Sequence, residues 1–409
     1  MKACGIVAEF NPLHNGHEYI MNEARRLTGC DALVIAMSGD FVQRGEPAIL
    51  DKWSRCRAAL SSGADLVIEI PVVHCLGNAG QYAGVAVSLL ESLGCMQHIC
   101  CGSGSGDRSS LIKASSFIKD NKDEILKRIF ADIKSGNSYP VARENAIKEL
   151  MTDEDGFDPD VLKNPNDILT LEYMIAACDA KVITVKRTGA DYSDAFDNKH
   201  EYQSAGGIRK LFSELEKDDA LLKIKEYVPP ASLQEMEDSI LTSADDLTDI
   251  LRYSVINSSA DEIENCPSGG EGLGHLLKQA VMRYDSMNDI IMHCKSKRYT
   301  YTRISRLCMQ HILGVDRAMQ SLTPGYIRVL GFSEKGRSLL SHIKREEIAK
   351  LPIITNINKE GQLPDDSSRL ILEMDIKASD IYNLASGRNL TACSDKVMTP
   401  VIFKQTEIL

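Results

Sequence analysis

Residues 3–17 read Ala3-Cys4-Gly5-Ile6-Val7-Ala8-Glu9-Phe10-Asn11-Pro12-Leu13-His14-Asn15-Gly16-His17. A short apolar run leads into a loop, and an amphipathic stretch follows from Gly16 to Leu27. That order predicts a buried strand, a loop and a helix. The pattern recurs. Ala32–Met37 is followed by a loop with Arg44 to Pro47 and a helical segment from Asp51 to Ser61; Leu66–Ile70 is followed by a loop and the helical Gly80 to Leu93. Gln97–Cys101 runs into Gly102–Asp107 and helical residues over about 110–178, and Val182–Lys186 closes the series. Short apolar runs alternating with helices predict an α/β fold, a Rossmann-like doubly wound parallel sheet covered on both faces. Ligands of such sheets lie beyond the carboxyl ends of the strands. Here those ends carry Asn11–His17, Ser38–Glu46, Pro71–Asn78, Gly102–Gly106 and Arg187–Tyr192.

From about Ser204 the alternation gives way to helical spacing, and from about 290 the chain turns basic before strand-like runs at Arg369–Glu373 and Val397–Phe403. At roughly 150 residues per domain, 409 residues imply two or three domains. The expected division is an α/β domain over 1–215, a helical connector over 216–290 and a basic, mixed C-terminal domain over 291–409. With 43% hydrophobic and 26% charged residues the chain is globular in composition, not disordered or fibrous. The twelve cysteines show no CxxC spacing, which argues against a zinc or redox site. There is no basic n-region followed by an apolar h-region, and no run long enough to span a bilayer. A cytoplasmic protein without a membrane role is the expectation.

Chemistry concentrates at His14-Asn15-Gly16-His17. Two imidazoles and a helix N-terminus meet at one place, where N–H groups offer donors to a phosphate and imidazoles can stabilise charge developing at phosphorus. The bland alternative is a pair of core or capping histidines. Ser204-Ala205-Gly206-Gly207-Ile208-Arg209, after the fifth strand, offers a second helix start followed by an arginine. Lys52 and Arg55 lie three apart on one predicted helix face. They form either a solvated basic face or cations leaning toward a polyphosphate.

The HxGH tetrapeptide is the signature of the HxGH nucleotidyltransferase superfamily, and Ser204–Arg209 resembles its second motif with Gly206 in place of threonine. Further stretches narrow the resemblance: Ser38-Gly39-Asp40-Phe41-Val42-Gln43-Arg44-Gly45-Glu46-Pro47 with Lys52-Trp53 and Arg55, Gly102-Ser103, Pro165-Asn166-Asp167-Ile168-Leu169, Lys186-Arg187 and Tyr326–Phe332. Over essentially its whole length the chain closely resembles the bacterial tRNA(Met) cytidine acetate ligase family. That resemblance implies an enzyme working in two steps. Acetate attacks the α-phosphorus of ATP to give acetyl-adenylate and pyrophosphate; the wobble cytidine amine of elongator tRNA(Met) then takes the acetyl group, giving N4-acetylcytidine and AMP. It also implies that ATP is cradled by Val7, Ala8, Glu9, Phe10, Asn11, Pro12, Leu13, His14, Asn15, Gly16, His17, Glu18, Tyr19 and Ile20, with Gly102, Asn166 and Arg187 as further contacts. Ser204 and Arg209 join this set through the second motif. On chemical grounds His14 and His17 are assigned to the transition state at phosphorus, Lys52 and Arg55 to the departing pyrophosphate, and Asp40 to the incoming amine or a magnesium ion, or to a simple cap. Mg2+ is expected alongside ATP, and no metal site of protein ligands is expected.

The formal charge of -11 taken as a total disfavours RNA, yet residues 290–345 carry eleven Lys and Arg against two acidic residues. Tyr299, Tyr301, Tyr326 and Phe332 are interleaved with these charges. Cations mixed with aromatic rings suit phosphate neutralisation and base stacking, so Lys295, Lys297, Arg298, Arg303 and Arg306 are the expected tRNA contacts. Two other readings stay open: a small-molecule adenylyltransferase, which has no use for such a basic module, and a nucleotide-dependent RNA-binding factor without catalysis.

Overall fold

The computed structural model describes residues 1–187, 196, 202–359 and 363–404; residues 188–192 of the fifth strand end lie outside these. Strands β1 (Ala3–Ala8), β2 (Ala32–Ser38), β5 (Leu66–Ile70), β6 (Met96–Ser103) and β7 (Lys181–Lys186) are the five expected, and between β2 and β5 a small hairpin adds β3 (Phe41–Val42) and β4 (Glu46–Pro47). The five pair in parallel in the order β5-β2-β1-β6-β7. The chain therefore winds outward from β1 in both directions, and the switch of direction falls between β1 and β6, where such sheets open a ligand crevice.

Why the strands are buried on both faces is visible in β2. Leu33, Ile35 and Met37 enter the cluster with Cys4, Ile6 and Trp53, while Ala32, Val34 and Ala36 enter the one with Leu66, Leu90 and Ile99. The period of two sends alternate side chains to opposite helical layers, and burying each large aliphatic side chain contributes about 1.5–3 kcal/mol.

The expected C-terminal domain is not a separate unit. Strand β8 (Ile327–Ser333) lies antiparallel on β5, and β9 (Ile353–Ile354) and β10 (Val401–Phe403) both pair with β8 in parallel, so all three extend the central sheet. The proposed boundary near 290 runs through a single apolar cluster in which Leu251, Leu277 and Ile291 pack with Leu307, Ile371 and Tyr382. Arg369–Glu373 is no strand either; it lies inside the helix Asp366–Ala385, whose Ile371, Leu372 and Met374 are buried at helical spacing.

Candidate active site

The first helix, Asn15–Thr28, begins with a reciprocal cap made by the two histidines. His14, in extended conformation, accepts the Gly16 N–H on Nδ1 at 3.1 Å, and the His14 N–H is accepted by Nδ1 of His17 at 3.2 Å. An imidazole nitrogen that accepts is unprotonated, so each neutral ring carries its proton on Nε2. Gly16 makes this possible: a Cβ there would stand 3.0 Å from His14 Cε1. The rings stack with centroids 3.8 Å apart, and Phe10 meets His17 edge-on at 5.1 Å. Burial, the His17 charge and nearby Arg187 push His14 well below the ordinary histidine value; burial and Arg187 push His17 down to about 3. The bland alternative of capping histidines is thus half right: they cap the helix with one nitrogen and keep the other as a donor.

Both rings line a cleft of about 1070 Å³ at the switch of sheet direction, together with Val7, Ala8, Glu9, Phe10, Asn11, Ile20, Gly102, Asn166, Arg187 and Arg209. Arg187 follows β7 and donates to Asn166 Oδ1 at 2.8 Å. Arg209 donates to the Asn11 carbonyl at 2.7 Å and pairs with Glu46 at 3.1 Å. The buried Nδ2 of Asn11 has no partner among the described residues, which leaves a donor for a ligand. Pro12, Leu13, Asn15, Gly16, Glu18 and Tyr19 belong to the same loop and helix without lining the cleft. Asn15 fastens the loop, donating through its N–H to Tyr227 O at 3.0 Å and through Nδ2 to Glu226 O at 2.8 Å. Ser204 lies outside the lining too; its Oγ accepts the Gly207 N–H at 2.9 Å as the cap of helix Ala205–Glu214.

Three assignments require correction. Lys52 and Arg55, each 1% exposed, point into the protein and not into the cleft. Lys52 Nζ donates to Glu69 at 2.7 Å and to Asp395 at 2.6 Å, and Arg328 completes the network with 2.8 Å contacts to both acids. Burial and Arg328 oppose the Lys52 charge, yet Asp395, Glu69 and Asp40 hold its ammonium above the ordinary lysine value. Arg55 donates to the carbonyls of Leu50 (2.9 Å), Glu9 (2.6 Å), Ser38 (3.0 Å) and Gly39. It braces the ends of β1 and β2, with four of its five N–H donors committed to carbonyls inside the protein and none lining the cleft. Asp40 is buried, accepting from the Lys52 N–H at 2.7 Å and from Ser379. Burial raises its pKa against the pull of Lys52, whose ammonium lies 4.0 Å away, and it is not part of the cleft lining.

Sequence reasoning also passed over one residue that shapes the cleft. Asp167, fully buried, accepts from Ser103 Oγ at 2.6 Å, Gly104 N at 2.9 Å and Ser105 N at 2.9 Å, shaping the loop after β6. Its place beside Asn166 in the Pro165–Leu169 motif was the available signal. Glu9, one of the expected ATP-cradle residues, accepts the Gln43 N–H at 3.0 Å, and burial raises its carboxyl against the pull of Arg44 and Arg209.

Of the basic segment, Lys295, Lys297 and Arg298 are exposed, with Arg298 on Glu271 at 2.9 Å. Arg303 and Arg306 line the same cleft as the histidines. Tyr326 and Arg328 drop out of the RNA-facing set: both are buried, Tyr326 donating to Asp375 at 3.2 Å and Arg328 held by its two acids.

A model of the HIGH Nucleotidyl Transferase family matches residues 1–396. The chain is 34% identical to the tRNA(Met) cytidine acetate ligase of Clostridium perfringens strain ATCC 13124, over 99% of this chain and all of that one. With the enzyme of the same name from Caldanaerobacter subterraneus subsp. tengcongensis it shares 36% identity over 94% of this chain and 96% of the other. Crystal structures of Thermotoga maritima TmcAL, one apo and one bound with alpha-thio ATP, each superpose with a TM-score of 0.89 at 30% identity, covering 99% of this chain and all of theirs. With the histidine pair, the crevice and the sheet order all in place, the chain belongs to the tRNA(Met) cytidine acetate ligase family of HIGH nucleotidyl transferases.

Proposed function

We propose that the chain acetylates the wobble cytidine of elongator tRNA(Met), using ATP and acetate. ATP lies along the loop after β1, with the Nε2–H groups of His14 and His17 directed at the α-phosphate. An acetate oxygen attacks the α-phosphorus and the bond to the bridging oxygen breaks, releasing pyrophosphate. The neutral histidines donate to the oxygens that gain charge as the phosphorus becomes five-coordinate. The cytidine N4 amine then attacks the acyl carbon of acetyl-adenylate; AMP departs with the electron pair, and the amine loses its extra proton. Activation comes first because acetate has no leaving group until its oxygen is joined to AMP. Magnesium would come with the ATP phosphates and offset their charge, and no step is routed through a metal held by the protein.

One observation carries this reading over AMP transfer to a small phosphate. Arg303 and Arg306, from the basic segment, line the same cleft as the histidine pair, so the part of the chain suited to RNA opens onto the adenylating site. Lys295 and Lys297, exposed on the approach, would attract the anticodon arm. All twelve cysteines are free thiols, the form a reducing cytoplasm maintains, and no helix among the described residues is long and apolar enough to cross a membrane.

Incubation with ATP, labelled acetate and tRNA(Met), followed by digestion of the RNA, should yield labelled acetylcytidine with one AMP and one pyrophosphate per acetyl group. Adenylate recovered on a small phosphate ester, with no acetylcytidine, would overturn the proposal.

A further inference from the structure

Helix Tyr301–Leu313 meets the β3–β4 hairpin at a contact only glycine permits. Gly45 has φ +82, and a Cβ on it would stand 2.3 Å from the backbone N of Arg306. Ser305 Oγ closes the contact by donating to the Gly45 carbonyl at 2.6 Å. Arg44 and Arg306 are thereby neighbours, on hairpin and helix respectively, and Arg303 lies one helical turn before. Arg303 is well partnered: it donates to Ser268 O at 3.1 Å and Gly269 O at 3.2 Å, pairs with Glu271 at 3.2 Å and stacks over Tyr299 at 5.2 Å.

Arg306 is different. It lines the cleft and is half-buried, its guanidinium open to the cleft, yet it makes no hydrogen bond or ion pair among the described residues. Burial, together with the charges of Arg303 and Arg44, lowers its guanidinium to about 10. The two fully buried guanidiniums are partnered within the protein: Arg55 with four carbonyls, Arg328 with two carboxylates. A cation pressed against two others without an acid is costly, and such a cost persists where an anion arrives to offset it.

We propose that Arg306, flanked by Arg44 and Arg303, is the seat for one phosphodiester of the RNA strand, next to the nucleotide whose amine is acetylated. The proposal rests on the tRNA reading above. The planar guanidinium suits the paired oxygens of a phosphate. A polyphosphate would share the chemistry. RNA is favoured because the exposed Lys295 and Lys297 lie just before the start of the helix carrying Arg306, so a strand attracted there leads onto it, while the loop of the histidine pair has its own cations in Arg187 and Arg209. A phosphate fixed at the mouth would let the target base leave the anticodon stack and reach inward.

The test uses the full chain with Arg306→Ala and Arg306→Lys, measuring tRNA(Met) affinity across a salt series, acetylcytidine formation, acetate-dependent ATP–pyrophosphate exchange and Tm. Arg306→Ala should weaken tRNA binding about tenfold to a hundredfold, lower the salt slope by about one and leave Tm equal or higher, because it removes an uncompensated charge. Arg306→Lys should retain the slope while losing part of the affinity. The loss in tRNA-dependent turnover should exceed any loss in exchange at least about tenfold. Wild-type affinity and slope in Arg306→Ala would overturn the seat, as would equal losses in exchange and transfer, which assign the guanidinium to polyphosphate, or a marked fall in Tm, which makes it structural. Wild-type protein that binds RNA through Arg306 but forms no acetylcytidine would uphold the seat and overturn the catalytic reading.

Discussion

Replacing Asp395 tests whether Lys52 is structural or catalytic. Asp395 is fully buried between Lys52 at 2.6 Å and Arg328 at 2.8 Å, and it also accepts from Trp53 Nε1 at 3.3 Å. Burial opposes its charge, but the two cations hold its carboxyl at about 2. Asp395→Asn leaves two buried cations to share Glu69, and breaking a buried ion pair by removing one partner costs about 3–5 kcal/mol. With an unfolding entropy of about 2.1 cal/mol/K per residue, a 409-residue chain loses about 1 °C of Tm per kcal/mol, so the shift should be about 3–6 °C. Lys52→Met alone should cost a similar amount by leaving Asp395 and Glu69 with one cation. The double variant Lys52→Met, Asp395→Leu keeps the Arg328–Glu69 pair, closes the space with apolar volume and should recover most of the loss. Urea unfolding of wild type, Lys52→Met, Asp395→Leu and the double variant gives the coupling directly. Exchange by the folded double variant decides the role: retention within severalfold means Lys52 never touched pyrophosphate. Additive losses, or a collapse of exchange in a double variant of normal stability, would refute the reasoning. The sign with pH follows from the depressed carboxyl. Its contribution is present above the unfolded value of about 3.9 and disappears as pH falls through about 2, so the stability gap between wild type and Asp395→Asn should close in that acid window.

Three further outcomes follow from the site. With His14 and His17 neutral far below the ordinary value of about 6.5, kcat/KM for ATP in acetate-dependent exchange should show no inflection near pH 6.5; one that vanishes in His17→Gln would show that a histidine titrates there. Gly16→Ala drives a methyl to 3.0 Å from the His14 ring, so exchange should fall about ten- to hundredfold while Tm stays close to wild type, since alanine favours a helix; unimpaired exchange would detach the cap from catalysis. Asp167→Ala frees three donors in the loop after β6 and should cost about 2–4 kcal/mol and raise the KM for ATP more than it lowers kcat, checked by thermal unfolding and initial rates.

What the sequence disclosed and what it concealed divide along physical lines. The run Ala3–Ala8 and the four apolar runs like it announce themselves because strands buried on both faces are locally apolar, and the HxGH tetrapeptide sits where one of them ends. The histidines were legible because cap, glycine and ring are within four residues. Lys52 and Arg55 were not. Charge and helical spacing are properties of the residues themselves, whereas burial depends on Asp395, 343 positions from Lys52, and on carbonyls of strand ends. The domain boundary failed for the same reason: nothing local to Ile327–Ser333 states that it will lie antiparallel on β5.

Arg306 falls between these cases. Its charge was legible, and so was its membership of a basic segment, but its place in the cleft beside Arg44, with no ion pair among the described residues, depends on the Gly45 contact, 261 positions away. That contact gives the β3–β4 hairpin its importance. Through Gln43 it holds Glu9, through Glu46 it holds Arg209 and with it Asn11, and through Gly45 it holds the helix of Arg306. The adenylating loop and the basic helix therefore share one small support, and their geometry cannot change independently. For an enzyme that must bring an RNA amine to an acyl-adenylate, a common support fixes the distance between the two reacting partners before either arrives, which is the entropic part of the barrier that positioning can remove.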